Sequence, residues 1–139
     1  AAKAEKLAQV DSWTARKITG GFDSEVSGEK VRYDSDKDTQ ITMQGIALNV
    51  ESERFATEYP TGCPVRGYPG EDVVKEDGTT VNKPAATKEI FMLNAEQVLA
   101  WCADLSVHIG TCKQAGWMYQ AQVNAATTVE ELDAIVLGK

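Results

Sequence analysis

The residues whose types and spacing could do chemistry are few. Asp104, His108 and Cys112 stand at i, i+4 and i+8. Aspartate, imidazole and thiol at that spacing could form a metal-ligand strip, or a Cys-His pair with an orienting carboxylate. On one straight helix, however, three such residues spread over ~12 Å, whereas a tetrahedral site needs its ligands to converge. No second histidine exists to complete a site. Asp34-x-Asp36-x-Asp38 resembles the opening of a calcium loop. That loop requires Gly at its sixth position and Glu at its twelfth. Thr39 and Gly45 stand there instead, so helix capping is the expected role. No phosphate loop, nucleophile elbow, HExxH or CxxC pair is present. The sequence therefore predicts no catalytic residue, no metal ligand and no cofactor.

The binding candidates are aromatic. Trp101 and Trp117 add apolar surface to a charge-poor helix and are the candidate interface anchors. The Pro- and Gly-rich stretch from Tyr59 to Gly70 reads as a loop, and Tyr59, Arg66 and Tyr68 are its candidate contact residues.

The element that must position most of these side chains runs from Asn94 to Asn124. Val98, Cys102, Leu105, Ile109, Cys112, Gly116, Tyr119 and Val123 recur at steps of four and three, the seam of a packed helix. Asn94 and Gln97 have capping-box spacing, with Leu93 and Val98 as a hydrophobic staple. At about 1.5 Å per residue the helix would be roughly 45 Å long. Between Ala95 and Asn124 the charged residues are Glu96, Asp104 and Lys113, so cover is wanted on more than one face.

Around it, residues 1–19 read as a helix with Leu7, Val10, Trp13 and Ile18 on one side, ended by Gly20-Gly21. Phe22–Val26 and Lys30–Tyr33 read as a hairpin around Ser27-Gly28. A second helix is expected from Ser35, its cap, to about Ala56, with Ile41, Gly45, Leu48, Ser52 and Phe55 as its stripe. Val73-Val74 and Thr79–Val81 flank the turn signal Asp77-Gly78, and Lys88–Met92 is a further strand candidate. Thr128 and Glu131 repeat the capping box before a short C-terminal helix. The expected fold class is α+β: three main helices, one of them long and central, plus a short C-terminal helix, packed with a small antiparallel sheet of two to four strands. Residues 1–139 read as one domain, and a subdivision would fall near 57–70.

A net charge of −7 and the lack of a basic run argue against a nucleic-acid partner. No apolar run approaches the ~20 residues that span a bilayer, so no membrane insertion is expected. Three cysteines, Cys63, Cys102 and Cys112, make a poor disulfide framework and point to reduced thiols. The chain begins without Met, which suggests processing or a piece of a longer protein.

The order of pieces then resembles a known pattern. One half is Arg16, Gly20-Gly21-Phe22, Gly28, Val31-Arg32-Tyr33-Asp34-Ser35-Asp36 and Gln40-Ile41. The other is Asp77-Gly78, Leu93-Asn94-Ala95-Glu96-Gln97, His108, and Ala125-Ala126-Thr127-Thr128-Val129-Glu130-Glu131-Leu132-Asp133-Ala134-Ile135. This resembles an uncharacterised domain family of bacteriophages and prophages, often found on tail-fibre or other tail-associated proteins. The resemblance covers nearly the whole chain, with a longer middle between about 55 and 86. It implies a structural or assembly module that works through protein–protein contacts. Its partners would be further copies, as a trimer or dimer, or other phage tail proteins. It would be found in the host bacterial cytoplasm during assembly and in the virion tail. The alternative is a receptor- or ligand-binding module using the 59–70 segment. A third reading, a metal-dependent enzyme built on Asp104, His108 and Cys112, requires stoichiometric zinc.

Overall fold

The computed structural model describes residues 1–74, 80–84 and 87–138. Its order is α1 (Ala2–Thr19), β1 (Phe22–Ser24), β2 (Val31–Tyr33), α2 (Lys37–Asn49), α3 (Glu53–Glu58), β3 (Cys63–Val74), β4 (Thr80–Pro84), β5 (Glu89–Leu93), α4 (Ala95–Ala125) and α5 (Val129–Asp133). The class is α+β, as expected, with one long central helix and a short C-terminal one. The chain divides into two compact units. The first holds residues 1–20 and 107–139, the second 21–106. The division falls at Gly20 and within α4; residues 57–70 lie inside the second unit.

The second unit is a sheet with helices. Its antiparallel path is β1-β2-β3-β4, and β5 also pairs with β3. β3 is long enough to serve several partners: Cys63–Gly67 face β5, Tyr68 and Pro69 face β2, and Gly70–Val74 face β4. Tyr59–Gly70, expected as a loop, is thus strand from Cys63 onward. Pro69 is compatible with the ladder for a local reason. The Gly70 amide donates to Lys30 O at 3.0 Å, making that a hydrogen-bonded pair. The next pair, Val31 and Pro69, is then a non-bonded one in which no N–H toward β2 is needed. Gly67 is required by packing: a Cβ there would lie 2.7 Å from the Tyr33 ring. The Asp77-Gly78 turn lies outside the described residues.

The β1–β2 hairpin forms as expected, with Phe22 opposite Tyr33 and Gly28 at φ +98° in its turn. α2 differs from expectation in three ways. Its cap is Asp36, which accepts from the Thr39 amide, while Ser35 is buried and accepts from the Gly21 amide at 2.8 Å. It stops at Asn49, and Ser52 caps a separate α3. Its expected stripe points outward, with Ile41 66% and Leu48 86% exposed; Met43 and Val50 on the neighbouring stripe are buried. Helical spacing selects a face but not which of two adjacent faces is covered.

The first unit is helical. Val10 of α1, Val123 of α4, and Ala126, Leu132 and Ile135 around α5 form its core, with Leu7, Tyr119 and Leu137 packed against it. Gly116 lets α1 and α4 close in, because a Cβ there would overlap the Thr14 hydroxyl. Gly20 carries φ −84°, so the left-handed glycine after α1 is Gly21, at φ +101°. α4 continues unbroken through Gly110 and Gly116. Its expected seam holds: every seam position from Val98 to Val123 is buried or half-buried.

Candidate functional site

The capping box that starts α4 is reciprocal. The Gln97 amide donates to Asn94 Oδ1 and the Asn94 amide to Gln97 Oε1, both at 2.8 Å. This sets the register of the helix, and with it the positions of Asp104, His108 and Cys112. Each of the three is engaged elsewhere. Asp104 accepts from Ser24 Oγ at 2.6 Å. His108 Nε2 lies 3.0 Å from Lys17 O and 3.1 Å from Ile18 O, the last-turn carbonyls of α1. Two carbonyl acceptors require that nitrogen to carry the proton. His108 therefore closes the C-terminal end of α1, where carbonyls lack helical partners.

Cys112 Sγ lies 3.9 Å from His108 Nδ1. Burial pushes its thiol up, only partly offset by the Lys17 charge. A thiol raised by burial is the opposite of an activated nucleophile. Cys63 and Cys102 are raised for the same first reason, and all three cysteines are free. The second acidic strip also disperses. Asp36 caps α2, and Asp34 pairs with Lys88, whose ammonium also stands 5.5 Å from the Tyr68 ring centre. Among the described residues no group of three or more His, Cys, Asp or Glu is placed to hold a metal ion.

The aromatic candidates separate. Trp101 is 5% exposed and packs with Phe22 and with Tyr33, whose ring is 5.6 Å away edge-on. Its role as a surface anchor gives way to a core role. Trp117 is 59% exposed. It lines a groove of about 360 Å³ with Thr14, Ala15, Ile18 and Gly116, bounded by Asp11, Gln120 and Lys113. Gln120 donates to Asp11 Oδ1 at 3.0 Å across the rim. Tyr59, at the C-terminal end of α3, is 44% exposed; in β3 Arg66 is exposed and Tyr68 half-buried. Arg66 lies opposite Ile90 and Pro64 opposite Met92, all four exposed, so the strand alternation presents an outward face.

A feature the sequence reading passed over runs along α4 in the first unit. Val107, Thr111, Gln114, Met118, Ala121 and Ala125 are all exposed and all uncharged. Their steps of four and three match those of the buried seam, and that spacing was the available signal. Val107 and Met118 are 67% and 66% exposed. From Val107 to Ala125 the one Lys, Arg, Asp or Glu is Lys113. Such a surface can bind protein.

No described helix is long and apolar enough to cross a membrane. The family model that matches residues 1–136 is described as a domain of unknown function, DUF4376, and the chain belongs to that family. No curated protein and no solved structure matches the chain.

Proposed function

We propose that this member of the family is a non-enzymatic assembly module of a phage or prophage tail-associated protein, acting through protein–protein contacts. The carrying observation is the uncharged, exposed stripe of α4 between Val107 and Ala125. Exposed apolar and neutral surface of that length is what contact sites use. The engaged His108 and the raised thiols support a role without chemistry. The resemblance of YDSD…QI and AATTVEEL to tail-associated proteins supports the setting. The protein would then be made in the host cytoplasm and carried into the tail.

The test is incorporation. Chain carrying Gln114→Glu and Met118→Glu, expressed in place of the wild type, should keep its helical circular dichroism yet fail to sediment with tail particles. Wild-type chain that never sediments with particles would remove the tail setting.

A second reading, recognition of a receptor or ligand, is favoured by the outward sheet face. There Arg66 stands beside Ile90 at 66% and Met92 at 47% exposure. Tyr59 and Tyr68 would contribute from the same chain segment. Arg66→Glu should abolish receptor binding under this reading and leave incorporation intact.

A further inference from the structure

The outer face of the sheet in the second unit is a basic surface on an acidic chain. We infer that it docks an extended acidic segment of a partner protein, added as a further strand along β5; this rests on the recognition reading of the same face.

The pleat separates the two faces of the sheet. Phe22, Val31, Tyr33, Cys63 and Val65 point inward and are buried, with Trp101 packed on Phe22 and Tyr33. The alternate residues point the other way. Asp23 lies opposite Arg32, Arg32 opposite Tyr68, and the Lys88 ammonium stands 5.5 Å from the Tyr68 ring centre. Two residues from Tyr68 along β3 is Arg66, opposite Ile90, and then Pro64, opposite Met92. None of these outward residues is buried.

Charge is the first guide to the occupant. Asp23 serves both Arg32, at 2.6 Å, and Lys30, at 3.7 Å, while Asp34 serves Lys88. Arg66 makes no ion pair among the described residues. The face thus sets four cations against two carboxylates, in a chain of net charge −7. The Asp34 hydrogen bond holds the Lys88 pKa above its ordinary value, and the nearby Arg66 charge works against it. A carboxylate brought between Arg66 and Lys88 relieves that repulsion. The rest of the chain repels an acidic partner, which confines it to this face.

The edge is the second guide. β5 pairs with β3 on one side, and among the described residues no strand pairs with its other side. An edge of that kind offers its backbone N–H and C=O groups to a further strand. Ile90 and Met92, 66% and 47% exposed, line it on the outward side, and Phe91 on the inward side is half-buried. The matching segment carries carboxylates outward within reach of Lys88 and Arg66, and apolar side chains inward over Phe91.

The test uses the full chain and a fluorescein-labelled peptide of alternating Glu and Val. Fluorescence anisotropy should show saturable binding that weakens as salt is raised. A Lys-Val peptide should not bind. Arg66→Glu should weaken binding by about tenfold or more, while Arg66→Lys, which keeps the charge, should retain it. Arg66 is exposed, so both variants should keep the wild-type circular dichroism. Amide exchange along Glu89–Leu93 should slow in the complex. Binding that ignores Arg66→Glu, or no binding at millimolar peptide, would overturn the inference. Binding without slowed exchange in β5 would overturn strand addition. Capture of phosphatidylserine vesicles in place of the peptide would assign the face to a membrane surface and overturn the protein partner. A chain that binds its receptor but ignores the peptide would keep the recognition reading and lose the acidic strand. A chain that binds the peptide and no receptor would do the reverse.

Discussion

The two units cover the same helix by different means. In the second unit α4 is held by directional bonds. Gln97 Nε2 donates to Val26 O at 3.0 Å, Ser24 donates to Asp104, and the Cys102 thiol donates to Met43 O at 3.6 Å. Trp101 is enclosed by rings from β1 and β2. In the first unit the cover is helical: α1 is joined to α4 by hydrogen bonds at His108, Gln120 and Lys3 and approaches it closely at Gly116 and Thr14, and residues around α5 pack beside Val123. The two tryptophans measure the difference. Both lie off the seam; Trp101 is core and Trp117 is surface. A sheet reaches beyond the seam to the flanking positions. In the first unit α1 and the segment around α5 fill the groove along the seam and leave the flanks open. The width of the cover, more than hydrophobicity, decides the fate of a flanking residue.

The strongest way to break this comparison is to truncate both rings. Trp101→Ala should cost about 3–5 kcal/mol. Trp117→Ala should change monomer stability by no more than about 0.5 kcal/mol. Urea denaturation of each at low protein concentration measures both, and comparable losses would end the distinction.

Close approach comes next. Gly116→Ala should destabilise by about 1–3 kcal/mol through the clash with Thr14. Adding Thr14→Ala should restore part of that loss, and strict additivity would show that the clash is not the cause. Gly67→Ala should destabilise the sheet by a similar amount, with Thr14→Ala giving no relief.

The polar anchors should matter less. Ser24→Ala removes the partner of Asp104, and His108→Ala exposes two carbonyls of α1 to solvent. Each should lower stability by about 1–2 kcal/mol. His108→Gln, which keeps a donor, should recover some of its share. Equal stability of the Ala and Gln variants would refute the capping role.

The smallest effect is electrostatic. Burial alone would raise the Asp23 pKa, but the Arg32 hydrogen bond and charge, at 2.6 Å, and then Lys30 outweigh it and hold the carboxyl below its usual value. A depressed folded value stabilises the protein above the unfolded value, near ~4, and the contribution is lost as pH falls through the folded one. Asp23→Asn should therefore flatten the acid limb of stability. Asp36 and Glu131 are also held low, first by the Thr39 side chain and the Thr127 amide respectively. The carboxylate bonds at the starts of α2 and α5 should be lost over the same acid range, visible as loss of amide protection at Thr39 and Thr127.

Much of this was legible in residue spacing. The seam of α4, its capping box, the β1–β2 hairpin, the Thr128 cap and the α+β class all follow from local chemistry that acts within a few residues. Periods of 3.6 and 2, and side chains that reach their own backbone, need no distant partner. The 59–70 segment was misleading because proline and glycine counts carry no information about pairing. Pro69 and Gly67 fit a strand only because Val31 and Tyr33 lie beside them. The covered face of α2 was decided the same way, by what packs on Met43 and Val50. His108, Asp104 and Cys112 had the right spacing for a site, and tertiary contacts gave each a separate task. The sequence by itself determined α1, the long α4 and the short α5, the caps that start the last two, and the seam, because those depend on neighbours along the chain. Only the tertiary structure decided which tryptophan is buried, which proline lies in a strand and which stripe of α4 is left for a partner, because each depends on residues distant in the chain.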